Sequence, residues 1–435
     1  MKKNKLLTSL LFITATLSLS ACGLFNDDDI AVKNSYNPVV SEPEVDPDGK
    51  PAGGVIGHRI DAVKDAYCFK NIGYAKDGKI INTYKTGGAN ENQFNPNGGK
   101  DYEGDNFSNN YDLYVPDATP RKNKHVLILF IHGGAWVSGF KTDVNPYVHE
   151  FANKGYVTAT IKYTLLSRDM NNSSLSIFRN LDEIDACIAS IKSVLEELEF
   201  DTTKTELVIG GASSGSHLAM LYSYSRGNKA PINNIKFVIN AVGPVDIKPD
   251  CWKSFKDEES GISSGLEKDN VDAMNLQPLS IAGEKDEQGN AVYWDNYQTV
   301  RVANGMCGIP NSKEAIEAAA IKDGEGKIVD IDSSNAAAKS MLDPDGGQDL
   351  LSVTYWIDKG INHYKMIAAY AGKDTIVGVN QFATLQKRLD ANSYTKGTDY
   401  KYTYFQNSNH QQISDQADHT AYTEFVNNIV AWCEA

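Results

Sequence analysis

The apolar run Leu207-Val208-Ile209 leads into Gly211-Ala212-Ser213-Ser214-Gly215, and a helix-compatible stretch, His217-Leu218-Ala219-Met220-Leu221, follows at once. Strand, tight turn and helix in that order constrain the chain to an α/β unit with a serine at the apex of its turn. Glycines two residues to either side let the backbone bend sharply and push Oγ into the open, so Ser213 is a candidate nucleophile. Ser214 and Ser216 are out of register, because the residues two before and two after each are not both glycine. In a chain with 35 glycines the pattern alone is weak, and its weight depends on partners.

One partner lies upstream. Val126-Leu127-Ile128-Leu129-Phe130-Ile131 reads as a fully buried strand of a parallel sheet and runs straight into His132-Gly133-Gly134-Ala135-Trp136. Adjacent glycines after such a strand allow backbone N–H groups to point into a cavity, as an oxyanion hole requires. Gly134 and Ala135 are the candidate donors, and the Ser214 N–H completes the set. Removing one such donor typically costs about 3–4 kcal/mol of transition-state stabilisation.

Together these motifs resemble the α/β-hydrolase fold, in its serine-esterase branch with an HGGAW-type oxyanion loop. That branch includes the hormone-sensitive-lipase-like carboxylesterases and the bacterial feruloyl-esterase-like enzymes. The likeness runs from Tyr111 to the C-terminus around one insertion, and further matches carry it: Tyr111-Asp112-Leu113-Tyr114-Val115-Pro116, Gly139-Phe140-Lys141, Gly155-Tyr156-Val157 and Gly243-Pro244-Val245-Asp246. It departs at Tyr163-Thr164-Leu165, where the family usually has Tyr-Arg-Leu and a supporting contact is at stake. The resemblance implies that His132, with Gly133, supports the backbone of the oxyanion loop and is not the base.

A serine hydroxyl needs an imidazole to take its proton and a carboxylate to orient that imidazole, and in this fold the order is serine, acid, histidine. Met366-Ile367-Ala368-Ala369-Tyr370 reads as a buried strand delivering Gly372-Lys373-Asp374, with a helical pattern through Phe382, Leu385 and Leu389 beyond it. Asp374 is the expected acid. Tyr400 to Phe405 alternates like a strand, and His410 follows after a short loop as the expected base. Asp246, also behind a strand, is the alternative acid, and His419 on the last helix is the alternative base.

The 435 residues, 41% hydrophobic and 23% charged, suffice for one large α/β domain with insertions. A net charge of −14 and the absence of a basic stripe argue against a nucleic-acid partner. The expected fold class is α/β: an α/β-hydrolase fold with a mostly parallel central sheet, helices on both faces and a lid insertion. Strands are predicted near 126–131, 157–163, 206–210, 236–242, 365–371 and 400–406, with antiparallel leading strands within 67–115. Helices are predicted near 145–153, 177–198, 215–226, 379–390 and 417–433. The lid is placed at about 248–355, above the C-terminal ends of the strands. Trp252, Tyr293, Trp294, Tyr297, Tyr355 and Trp356 give it stacking surface or a small core of its own, and 315–320 and 336–339 look helical.

Lys2, Lys3 and Lys5 precede an apolar stretch too short for a stable membrane span, so residues 1–21 read as a signal peptide. Leu19-Ser20-Ala21-Cys22 resembles a bacterial lipobox, which implies lipidation of Cys22 and a lipid-anchored place in the cell envelope; a plain secretory signal is the alternative. Residues 22–57, acidic and Pro-rich, read as a flexible tether, and 58–435 as the catalytic domain. With Cys22 lipidated, Cys68, Cys187, Cys251, Cys307 and Cys433 are an odd set. Cys187 is expected buried and free beside Ile184, Ile188 and Ile191, while Cys251 and Cys307 could pair.

The expected activity is hydrolysis of carboxylic esters through an acyl-enzyme, on small acyl or aryl esters, including those decorating polysaccharides. No metal or organic cofactor is required. Two rivals use the same features: an exopeptidase of the prolyl-oligopeptidase type, for whose β-rich N-terminal domain the tether and leading strands leave no room, and a non-catalytic surface lipoprotein that keeps the fold as a binding scaffold.

Overall fold

Along His125–Ile131 alternate side chains enter two different cores, Leu127, Leu129 and Ile131 on one side and Val126, Ile128 and Phe130 on the other. A strand apolar on both faces has to lie inside a sheet that is covered on both sides. The computed structural model, which describes residues 49–74, 109–136, 139–165, 177–246, 280–285, 291–293, 320–322, 328–331, 351–374, 377, 379–410 and 418–435, places it there.

The strands in chain order are β1 (Lys50–Ala52), β2 (Val55–Ile60), β3 (Val63–Gly73), β4 (Asn110–Pro116), β5 (His125–Ile131), β6 (Val157–Lys162), β7 (Thr205–Ala212) and β8 (Ile235–Ala241). Two small hairpins follow, β9 (Ser280–Lys285) with β10 (Ala291–Tyr293) and β11 (Ala320–Lys322) with β12 (Ile328–Ile331), and then β13 (Lys365–Ala371) and β14 (Tyr400–Phe405). The main sheet has ten strands in the order β1-β2-β3-β4-β6-β5-β7-β8-β13-β14. The first four pair antiparallel, β4 joins β6 antiparallel, and all pairs from β6 to β14 are parallel. This is the α/β-hydrolase fold, extended at one edge by the hairpin of β1 and β2.

The helices cover both faces. Helices α2 (Ile177–Glu197), α3 (Ser214–Arg226), α4 (Val353–Lys359) and α5 (Val379–Ala391) share one core with Leu127, Leu129 and Ile131. Helices α1 (Asn145–Asn153) and α6 (His419–Glu434) share the other with Val126, Ile128 and Phe130. Their ends follow local chemistry: Pro146 in the first turn of α1, the Asp418 side chain capping α6 at Ala421 N, and Gly360 in the left-handed conformation after α4. Cys187 sits fully buried as a free thiol on the Ile184, Ile188 and Ile191 face of α2, and burial pushes its pKa well up.

After β5 the chain crosses through α1 to β6 on one face, and after β7 it turns into α3 on the other. Between β5 and β7 the connections therefore diverge, which opens a crevice at the C-terminal ends of those two strands. Both glycine motifs lie there.

The boundaries differ from expectation in three places. Residues 50–57, assigned to the tether, form β1 and the start of β2, because Gly53 and Gly54 both take positive φ and close a two-residue hairpin. Ala320, predicted helical, begins β11. The insertion has rejoined the core by Leu351 rather than after 355, for Leu351, Val353 and Ile357 are buried with the α3 side of the sheet. Cys22, Trp252, Trp294, Tyr297, residues 336–339, Cys251 and Cys307 lie outside the described residues.

Candidate active site

Ser213 stands between β7 and α3 at φ 54°, ψ −124°, a left-handed conformation that costs a non-glycine residue on the order of 1–3 kcal/mol. Its N–H donates to Ala241 O on β8 at 2.8 Å, and its own carbonyl accepts from His217 N at 3.2 Å. Ser216, one turn on, reinforces the bend: its Oγ accepts from Ala241 N at 2.9 Å and bonds to Gly211 O. Ser213 occupies the helix N-cap position without capping, so its hydroxyl is left to face outward. The glycine after it is required by close approach, because a Cβ on Gly215 would lie 2.2 Å from Ile131 O at the end of β5. The elbow and the oxyanion loop thus pack backbone against backbone.

Asp374 and His410, the expected acid and base, follow β13 and β14, adjacent parallel strands whose following loops are tied together. Gly372 N donates to Phe405 O and Lys373 N to Ser408 O, both at 2.9 Å. Asp374, buried, accepts from Val377 N at 2.8 Å through one oxygen and from His410 Nδ1 at 2.7 Å through the other. His410 Nε2 lies 2.8 Å from Ser213 Oγ. The carboxylate fixes the proton on Nδ1, so Nε2 has a lone pair aimed at the serine hydroxyl. Three residues spread over 197 positions form one hydrogen-bonded line.

The alternatives are placed elsewhere. Asp246 accepts from Ser352 Oγ at 2.9 Å and Thr354 Oγ1 at 3.0 Å, joining the end of β8 to the segment entering α4. Gln381 on α5 closes that junction by accepting from Val245 N and Asp246 N and donating to Asp246 O. His419 is exposed on the first turn of α6.

The oxyanion loop takes positive φ at three successive residues, 115° at Gly134, 51° at Ala135 and 63° at Trp136. Two of them carry side chains, so the strain is held by the surroundings. His132 is fully buried, donates from Nδ1 to Gly133 O at 2.7 Å and stacks on Tyr163 at 4.4 Å between ring centroids. Tyr163 donates in turn to His132 O at 3.2 Å. Burial lowers the His132 pKa to about 4, so the ring is neutral and serves the loop's shape. Ser214 begins α3, and its N–H is one of those a helix start leaves without an intrahelical partner, at the positive end of the helix dipole.

At Thr164, where the resembling family has arginine, N and Oγ1 donate to the two oxygens of buried Glu183 at 2.7 and 2.6 Å, and Asn180 donates to Thr164 O at 2.7 Å. Hydrogen bonds from Thr164 and Asn180 make the junction at this position in place of an arginine side chain.

The sequence reading missed His217. Fully buried on α3, it donates from Nε2 to Leu351 O at 2.7 Å and accepts from Trp136 Nε1 at 3.3 Å. It links the oxyanion loop to the point where the insertion rejoins the core, and burial holds its pKa at about 4. A histidine at the fourth position after the elbow serine was the available signal. Among the described residues, no group of three or more His, Cys, Asp or Glu could hold a metal ion.

Residues 111–279 match the BD-FAE family model. That span contains the elbow and the oxyanion loop and stops before Asp374 and His410, which the structure brings in independently. The chain is similar to esterase B from Lactobacillus rhamnosis at 15% identity, over 85% of this chain and 87% of that one, with a TM-score of 0.48. It is also similar to an esterase from Thermogutta terrifontis at 16% identity over 75% and 88% of the two chains, TM-score 0.44. A bacterial heroin esterase aligns at 13% identity over 75% and 79%, TM-score 0.45. No curated protein sequence matches the chain.

Proposed function

We propose that this protein is a serine hydrolase of carboxylic esters. The observation that carries the reading is the line Asp374 Oδ2 to His410 Nδ1 at 2.7 Å and His410 Nε2 to Ser213 Oγ at 2.8 Å, set beside a strained glycine loop. Ser213 Oγ attacks the ester carbonyl carbon while its proton passes to His410 Nε2, and Asp374 stabilises the imidazolium at Nδ1. The carbonyl oxygen takes up the electron pair and is held by the N–H groups of Gly134, Ala135 and Ser214. Collapse breaks the bond to the alcohol oxygen, which leaves with the proton from Nε2. Water repeats the sequence on the acyl-enzyme, releasing the acid and restoring Ser213.

Small acyl or aryl esters, free or glycan-linked, are the proposed substrates. The test is hydrolysis of short-chain aryl esters by the protein and by Ser213→Ala. Turnover by the first alone is expected; equal rates, or none across a range of acyl groups, would overturn the esterase reading. Cleavage of an aminoacyl amide in preference to every ester would favour the exopeptidase, and tight ester binding without turnover the scaffold.

Anchoring through lipid on Cys22 is the second part of this reading, and the lipobox-like Leu19-Ser20-Ala21-Cys22 supports it. Cys22→Ser should move the protein from the membrane fraction to the soluble one. A wild-type protein already in the soluble fraction would refute the anchor.

A further inference from the structure

Lys141 is buried, and its ammonium is fully engaged by oxygen: Asp112 Oδ1 at 2.9 Å, Asn71 Oδ1 and Asn110 Oδ1. An ammonium has three protons, so these three acceptors saturate it. Asn71 and Asp112 are also joined to each other, Asn71 N donating to Asp112 Oδ1 at 2.8 Å. All three acceptors belong to β3 and β4, the antiparallel end of the sheet, whereas Lys141 lies just after the oxyanion loop.

Two residues before Lys141, Gly139 at φ 99° rests directly on that loop. A Cβ there would come 2.2 Å from Gly133 O and 2.6 Å from His132 Nδ1, the pair whose hydrogen bond shapes the loop. A continuous run of contacts therefore leads from Asp112 through Lys141 and Gly139 to Gly133 and the donors at Gly134 and Ala135. An ion pair removed from water is a poor source of stability, since well-packed apolar residues of similar size often do as well or better. What an oxygen-saturated ammonium provides is one allowed position.

We propose that Lys141 and Asp112 are positioning residues that hold the oxyanion loop in its reactive geometry, with an effect on kcat beyond their contribution to stability. The inference rests on the esterase reading above. The test uses the double apolar variant Lys141→Met/Asp112→Leu, which removes both charges, and Asn71→Gly, which removes one acceptor where the backbone already takes φ 58°. Aryl-ester kcat and KM, the Ki of a trifluoromethyl ketone that forms a tetrahedral adduct, and Tm are measured for each.

For the double variant, kcat should fall about ten- to a hundredfold and Ki should rise in parallel, with KM within about twofold, while Tm falls by several degrees because Asn71 and Asn110 lose hydrogen-bond partners. Asn71→Gly should lose kcat several-fold in the same pattern. A folded double variant with wild-type kcat and Ki overturns the proposal, as does a double variant that fails to fold while Asn71→Gly keeps wild-type kcat. If wild type hydrolyses esters and Ser213→Ala does not, these outcomes bear on Lys141 and Asp112 alone; if wild type hydrolyses none, the esterase reading has failed and this inference with it.

Discussion

His217 Nε2 donates to Leu351 O at 2.7 Å while its Nδ1 accepts from the Trp136 indole. Accepting from the indole requires the neutral ring, because an imidazolium has two donors and no acceptor. The helix behind Ser213, the glycine-rich loop at Trp136 and the segment at Leu351 that rejoins the core meet at this one side chain.

That neutrality makes stability depend on pH. Burial lowers both His132 and His217 from 6.5 to about 4 in the folded protein, so the unfolded chain binds more protons between those values. Stability is then fully present above pH 6.5 and is lost as pH falls toward 4, on the order of a few kcal/mol for the pair. Thermal unfolding should show Tm dropping across that window, with a shallower slope in His217→Gln. An equal slope in that variant would remove His217 from the account.

The two carboxylates behind β8 and β13 should separate cleanly. Asp374→Asn leaves His410 without its orienting charge and should lower kcat by about 10³–10⁴. Asp246→Asn weakens the tie to Ser352 and Thr354 and should lower Tm by several degrees with kcat within a few-fold of wild type. The reverse pattern of kcat losses would exchange their roles.

Ser216 supports the elbow from below. In Ser216→Ala the buried Ala241 N–H loses its acceptor, which should cost about 1–3 kcal/mol in denaturant unfolding. The loss in kcat should stay under about tenfold, since Ser213 N keeps its own bond to Ala241 O. A fall in kcat as large as that of Asp374→Asn would mean that Ser216 takes part in the chemistry.

Cys187 should be chemically silent. Burial favours the thiol over the reactive thiolate, so alkylation at pH 8 followed by mass mapping should find Cys187 unmodified in the native protein and modified after denaturation. Labelling of the native protein at Cys187 would show that α2 opens readily.

The elbow and the buried strand before the oxyanion loop were legible because their signals are short-range. An apolar run of six residues ending in paired glycines has few ways to continue, and the predicted strands and helices of the parallel half match the structure to within a few residues. The hairpin of β1 and β2 was missed although Gly53-Gly54 marks it, because a proline and flanking charges there look like a linker. The insertion gave patchy periodicity, and at Ala320 an alanine-rich helical pattern stands where a strand begins.

The chain alone therefore determined which residue types could do chemistry and in what order along the sheet, since bends, buried strands and helix starts are set by neighbours a few positions away. Tertiary structure decided which carboxylate faces the imidazole. Asp246 and Asp374 both follow buried strands, but only Asp374 belongs to a loop tied by backbone bonds to the loop of His410. It also decided that Lys141, His217 and Asp112, to which the sequence assigned no role, meet the oxyanion loop or its supports. Side-chain direction at a strand end depends on hydrogen bonds to segments dozens or hundreds of positions away, and no local pattern encodes that.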